Sequence, residues 1–231
     1  MTKKKREENA INYLQHLEDY IQVFNIEKRE YFDLDSIRIE FSKQHKLKAL
    51  KALGNWKKLT KNSNILYKLK KRMADSEITS VWRLGEENIY FYNSNVDAPK
   101  YRRATLVIFG MKQYHKKAPK RELVSKVLSI LKDISNVDIC LDLPYKPNLE
   151  GLSRHFTLTS FITKHGVVTD TNYINDTGIL MLDKITIYNK AQKNALKGTL
   201  WRIEAKISIP NFKALMMPLY EFKQITDIAR S

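Results

Sequence analysis

A single cysteine, Cys140, in 231 residues excludes intramolecular disulfides and the zinc sites built on paired thiolates. A reducing compartment suits such a chain. Glycine is equally scarce. There are seven, and no two lie closer than Gly166 and Gly178, so neither a P-loop nor a dinucleotide-binding GxGxxG turn can be written. No apolar run reaches the roughly 18 residues of a membrane span, and Met1 to Glu8 is Lys-rich and then acidic, unlike a signal peptide. A cytoplasmic, soluble protein without a membrane partner is expected. Acid is also short: 25 Asp and Glu face 41 Lys and Arg, a net charge of +16 and a pI near 9.7. That excess points to a polyanionic partner.

What is present is 43% apolar residues, enough for one generous domain or two small ones that bury roughly 70% of the unfolded surface. No repeat or Gly/Ser linker interrupts the chain, so a single domain over residues 1–231 is expected. Ala10, Tyr13, Leu14, Leu17, Ile21 and Phe24 have helical spacing, predicting a packing helix over 9–24 within an N-terminal region 1–32. From Asp35 to Phe41 apolar and polar residues alternate, the pattern of a half-buried strand.

A basic insertion, residues 43–73, follows. Eleven Lys and Arg lie between Lys43 and Arg72 without one carboxylate. Leu47, Leu50, Leu53 and Trp56, then Ile65, Leu66, Leu69 and Met73, predict two short helices in it. The absence of compensating acid makes this a phosphate-facing surface, with Lys46, Lys51, Lys57, Lys58, Lys61, Lys68, Lys70, Lys71 and Arg72 as its contacts. Lys116, Lys117, Lys120 and Arg121 form a second basic patch.

Between these patches, 78–84 and 88–93 read as a hairpin turning at Gly85-Glu86-Glu87, and 104–109 as a strand. A helix over 122–134, a strand over 137–143, a short helix near 148–155 and strands at 167–173, 179–182, 184–188 and 199–209 complete a catalytic sheet core, 104–209. Residues 210–231 form a terminal helix that stops on Ser231, as if a longer protein had been cut. Strands in hairpin-like succession predict an α+β fold, a mostly antiparallel sheet covered by helices.

Side chains two apart on a strand share a face. On 136–142, Asp138 and Asp142 share one face while Ile139 and Leu141 enter the core; on 200–207, Arg202, Glu204 and Lys206 form the polar face; on 184–190, Thr186, Tyr188 and Lys190 do. If the strands are neighbours, carboxylates, a phenol and two cations converge. Oxygen-only ligands suit Mg²⁺ or Mn²⁺. Tyr188 is then a nucleophile for a phosphodiester, with Lys190 or Arg202 offsetting phosphorane charge.

The segments Val137-Asp138-Ile139-Cys140-Leu141-Asp142, Ile185-Thr186-Ile187-Tyr188-Asn189-Lys190 and Leu200-Trp201-Arg202-Ile203-Glu204-Ala205-Lys206-Ile207 resemble, in order, the motifs of Rep_trans-type rolling-circle replication initiators of plasmids and their filamentous-phage relatives. Asp35-Ser36-Ile37-Arg38-Ile39 is similar to the strand that opens that family's catalytic domain. The resemblance implies a metal-dependent endonuclease that binds an origin, nicks one strand through a covalent 5′-phosphotyrosine and religates it. It places Tyr188 as nucleophile, with Asp35, Asp138 or Asp142, and Glu204 around the metal. Implied partners are origin DNA, as a hairpin or single-stranded nick site, with a host helicase and a second copy of the chain as candidates.

Asn136 and Asn189 depart from the family's usual Arg and Asp, and Asp35 has the parity of apolar neighbours, so Glu40 competes for its role. His16, His45, His115, His155 and His165 are scattered, unlike the paired ligands of His-dependent nickases. Tyr220 is the next candidate nucleophile. A non-enzymatic DNA-binding initiator or phage regulator is the alternative, and an RNA-binding sheet with Tyr90 and Tyr92 as stacking platforms is a third reading.

Overall fold

The computed structural model describes residues 13–60, 64, 66, 69, 78, 80–93, 103–114, 116–132, 134–209 and 215–231. Lys61, Lys68, Lys70, Lys71, Arg72 and the beginning of the expected first helix lie outside them. The architecture is α+β, and the strand pairings within each of two compact units are antiparallel. Unit 1 comprises residues 1–17, 36–111 and 117–135, and unit 2 comprises 18–35, 112–116 and 136–231.

The chain passes from unit 1 to unit 2 inside α1 (Tyr13–Lys28) and back again inside β1 (Asp33–Ser42). Unit 1 then contains α2 (Lys43–Lys51), β2 (Trp56–Lys58), β3 (Val81–Leu84), β4 (Ile89–Asn93), β5 (Arg103–Phe109) and α3 (Arg121–Leu131). Its strand order is β2-β3-β4-β5-β1. The β3–β4 hairpin turns where expected, with Gly85 at φ +52°, a conformation that favours glycine. Helix α3 follows its apolar stripe and buries Val124, Val127, Leu128 and Leu131. It ends three residues earlier than expected, where Lys132 takes φ +67°.

Two expectations in unit 1 need correction. Trp56 does not continue the basic helix. The helix stops at Lys51, and Trp56, Lys57 and Lys58 pair with Leu84, Arg83 and Trp82 as an edge strand. Ladder bonds to β3 outweigh the weak helical preference of a segment holding Gly54 and Asn55. Tyr90 and Tyr92 are no stacking platform either. Both are buried, packed with Leu66, Leu69, Ile78, Val81, Val107 and Phe109, because their side of β4 faces the core rather than solvent.

Unit 2 contains β6 (Asn136–Leu143), α4 (Leu149–Ser153), β7 (Thr159–Ile162), β8 (Val168–Ile174), β9 (Leu182–Asn189), α5 (Lys190–Asn194), β10 (Trp201–Ser208) and α6 (Met216–Arg230). Its strand order is β6-β10-β9-β8-β7. The expected strands 179–182 and 184–188 reduce to the single strand β9, entered from a turn in which Thr177 Oγ1 donates to the Leu182 carbonyl at 2.5 Å and Met181 has φ +67°. Strand β7 was not anticipated, its four-residue sequence TSFI being too short to carry a period. Helix α6 packs along β9 and β10 and buries Leu219, Phe222, Ile225 and Ala229. Ile185, Ile187, Ile203 and Ile207 are each 0% exposed, and each such burial contributes about 2 kcal/mol of transfer free energy.

Candidate functional site

The register of β6, β10 and β9 decides which side chains meet. Arg202 lies opposite Asp142 on one side and Tyr188 on the other. Glu204 lies opposite Cys140 and Thr186, and Lys206 opposite Asp138 and Lys184. Directly opposed residues in an antiparallel pair share a face, so the polar parities read from the three segments form one surface. The alternate residues Ile139, Leu141, Ile203, Ala205, Ile185 and Ile187 are buried.

At the end of this surface Arg202 is 1% exposed. Its Nε and Nη2 donate to the two carboxylate oxygens of Asp142 at 2.6 and 2.7 Å. Nη1 donates to Asp35 Oδ1 at 2.6 Å, and both Nη1 and Nη2 reach the Lys112 carbonyl at 3.3 Å. A guanidinium has five N–H donors, and these bonds engage all of them. Arg202, expected to face a phosphorane, thus has no N–H left for phosphate in this arrangement and acts as the centre that fixes two carboxylates and a loop. Burial alone would lower its pKa, yet the bonds to Asp142 and the charge of Asp35 raise it well above the ordinary value.

Asp142 shows the complementary balance. Burial pushes its carboxyl up, but the hydrogen bonds and charge of Arg202, followed by Lys190 and Tyr114, hold it below the usual carboxylate range. Asp35, rather than Glu40, reaches this cluster. Glu40 lies in unit 1, half exposed, 3.5 Å from Arg103.

Lys190 was expected as the last outward residue of a strand. It is instead the first residue of α5, whose N-cap Asn189 accepts from the Gln192 amide, the role for which Asn and Asp are both suited. The cap turns the chain, and Lys190 becomes 3% exposed, donating to the Lys112 carbonyl at 3.2 Å with Asp142 Oδ2 at 3.7 Å. Burial, then the charge of Arg202, lowers its pKa.

Tyr188 is 6% exposed and its hydroxyl donates to Glu204 Oε2 at 3.0 Å. Burial first, and the Glu204 charge second, raise the phenol well above its ordinary pKa. A phenol hydrogen-bonded to a carboxylate is the geometry of a nucleophile beside its base.

The loop after β5 supplies residues that strand parity does not reach. Tyr114, 51% exposed, donates to Asp142 Oδ2 at 2.9 Å, and the Lys190 ammonium lies 4.7 Å from its ring centroid. Lys112 pairs through its ammonium with Asp33 at 2.8 Å while its carbonyl serves Arg202 and Lys190. A tyrosine within the basic run Lys112-Gln113-Tyr114-His115-Lys116-Lys117 was the one available signal. Tyr220 stands on α6, with the Lys28 ammonium 5.6 Å from its ring centroid.

The carboxylates do not fit a divalent ion as arranged. Asp35 and Asp142 are held by Arg202, and Asp138 lies four residues from Asp142 on one strand, about 13 Å at 3.3 Å per residue, too far to share an ion with it. Among the described residues no group of three or more His, Cys, Asp or Glu side chains is placed to hold a metal. Cys140, on the same face, is buried, and burial pushes its thiol pKa up.

Of the lysines assigned to a phosphate-facing surface, Lys51, Lys57 and Lys58 are exposed and Lys46 half-buried. Lys57 contacts Glu86 at 3.2 Å, and the Lys58 ammonium lies 5.9 Å from the Trp82 ring centroid. Lys116, Lys117, Lys120 and Arg121 are exposed. No described helix is long and apolar enough to cross a membrane.

No family model matches the chain, and no curated protein matches it. Among solved structures it is similar to that of a rolling circle replication initiator protein from Geobacillus stearothermophilus, with a TM-score of 0.41 and 13% identity over 82% of this chain and 78% of that one. A likeness that loose assigns no role to any residue.

Proposed function

We propose that this chain is a replication initiator of the rolling-circle type that binds DNA and nicks one strand through Tyr188. The observation that carries the reading is the Tyr188 hydroxyl at 3.0 Å from Glu204, one cross-strand step from Arg202, in a chain of net charge +16. In the proposed step the phenolic oxygen attacks phosphorus and its proton passes to Glu204. The P–O3′ bond breaks, the 3′ oxygen takes a proton from the Lys190 ammonium, and the 5′ phosphate stays on Tyr188. Lys190, easier to deprotonate than an exposed lysine, suits a proton donor. Arg202 acts by positioning Asp142 and, through it, Lys190. The ester conserves the energy of the phosphodiester, so reversal religates the strand.

The test is incubation with single-stranded and hairpin oligonucleotides, scoring covalent protein–DNA product on denaturing gels. Wild type forms the adduct, and Tyr188→Phe loses most of it. The same assay run with Mg²⁺, with Mn²⁺ and with chelator reads metal dependence. DNA binding without cleavage under every condition would establish the non-enzymatic DNA-binding reading in its place.

A further inference from the structure

We infer that the β7–β8 ribbon is a contact for duplex DNA, entering the major groove with Ile162, Val167 and Val168 against base edges and Lys164 beside phosphate. This rests on the DNA-binding part of the proposed function and is independent of the nicking step. Among the described residues β9 pairs with β8 at Asn172, Tyr173 and Ile174 only, and β7 is the last strand of the order. Past those pairings the two strands run on alone, Ile162 opposite Val168, to the turn Thr163-Lys164-His165-Gly166. The turn is firmly built. The Gly166 amide donates to the Thr163 carbonyl at 3.0 Å and the Thr163 amide to the Val167 carbonyl at 2.8 Å. The Val167 amide donates to Thr163 Oγ1 at 3.1 Å, and Gly166 takes φ +79°, a conformation that glycine adopts without strain.

The ribbon exposes what a solvated hairpin would hide: Ile162, Val167 and Val168 are 57%, 60% and 62% exposed. Directly opposed residues share a face, so Ile162 and Val168 make one apolar pair, and Val167, adjacent on the chain, points the other way. From Phe156 to Thr169 there is no Asp or Glu, while Lys164 and His165 stand exposed at the turn. A ribbon that is apolar on its faces, cationic at its end and free of acid fits a polyanion with apolar groups inside a groove. The major groove of B-DNA is about 12 Å wide, admits a two-stranded ribbon and presents the C5-methyl groups of thymine. Two strands about 4.8 Å apart fit between its phosphate rims, within reach of Lys164. Strand addition by another protein suits this edge poorly. Strand β7 has four residues and its register with β8 shifts between Ser160 and Ile162, and short, irregular edges resist such pairing.

The experiment compares wild type, the triple variant Ile162→Ser, Val167→Ser, Val168→Ser, and Lys164→Gln by fluorescence anisotropy on a labelled A·T-rich duplex. A second duplex of the same sequence carries deoxyuridine in place of thymine and so lacks the methyl groups. The substituted side chains are exposed, so the urea midpoints should match that of wild type. The triple variant is expected to bind the thymine duplex about tenfold more weakly. Wild type should lose affinity on the deoxyuridine duplex and the triple variant should not. Lys164→Gln should flatten the dependence of log K on log salt by about 0.9. If both variants bind both duplexes as wild type does, the ribbon does not enter the groove and the DNA-binding reading stands. The inference also falls if duplex affinity is unchanged while sedimentation velocity shows a wild-type dimer and a monomeric triple variant, because the ribbon then joins two copies. If the triple variant unfolds early, Lys164→Gln decides, and an unchanged salt slope overturns the inference. Binding of wild type to single strands alone removes the ribbon's role only; binding to no DNA removes both readings.

Discussion

On α2 and β2 of unit 1, Lys51, Lys57 and Lys58 stand exposed, and the ion pair that Lys57 makes with Glu86 joins side chains that are 58% and 77% exposed. In unit 2, Arg202 is 1% exposed and held by Asp35 and Asp142 at 2.6 Å. The same formal charge does different work in the two places. An exposed lysine keeps its hydration, contributes about 0–1 kcal/mol to folding through a surface pair, and retains a field that reaches a Debye length of about 8 Å at physiological salt. A buried guanidinium has given up its water, so its value lies in the carboxylates and carbonyl it holds in place.

Removing Arg202 is the strongest way to break that contrast. Arg202→Ala leaves Asp35 and Asp142 facing each other with side chains only 7% and 13% exposed, and is expected to cost about 3–5 kcal/mol in urea-induced unfolding. Adding Asp35→Asn and Asp142→Asn removes the two carboxylate charges that Arg202 had offset, and a good part of the loss should return. If Arg202→Ala unfolds at the wild-type midpoint, the buried cluster is not a structural centre.

The lysines should behave in the opposite way. Combined Lys46→Ala, Lys51→Ala, Lys57→Ala and Lys58→Ala leaves the unfolding midpoint nearly unchanged, within about 0.5 kcal/mol for each site. Its dependence of log K for DNA on log salt, measured by fluorescence anisotropy, flattens by about 0.9 for every phosphate no longer neutralised. An unchanged slope would show that DNA does not touch this surface.

The smallest effect concerns acid. Because the folded-state carboxyl of Asp142 is held below its ordinary value of 3.8, the group contributes stability that is present above about pH 4 and lost as pH falls through the lower folded value. Asp142→Asn should be less stable than wild type at pH 7 and lose less between about pH 4 and pH 2. Parallel acid profiles for the two chains would show that other carboxylates carry the transition.

Much of unit 2 was legible because a strand repeats every two residues. The alternation in 200–207 separates Arg202, Glu204 and Lys206 from Trp201, Ile203, Ala205 and Ile207, and the pairings bear out that division strand by strand. Unit 1 was read less well where local preference and pairing competed: Trp56 has helical spacing with Leu50 and Leu53 yet joins β3. Lys190 was misplaced for a similar reason, since Asn189 can extend a strand or cap a helix, and only the following turn decides.

By itself the sequence determined the surplus of positive charge, the α+β succession and the faces on which Asp138, Asp142, Tyr188, Arg202 and Glu204 lie. These follow from composition and from periodicities confined to a few neighbouring residues. Only the tertiary structure decided what those side chains do to one another. Arg202 and Asp35 are separated by 167 residues, and Arg202 draws its other acceptors from β6 and from the carbonyl of a loop. Tyr114 meets Asp142 across 28 residues from a segment with no period to read. A hydrogen bond depends on angles and tenths of an ångström, and those are set where elements distant in the chain are brought together.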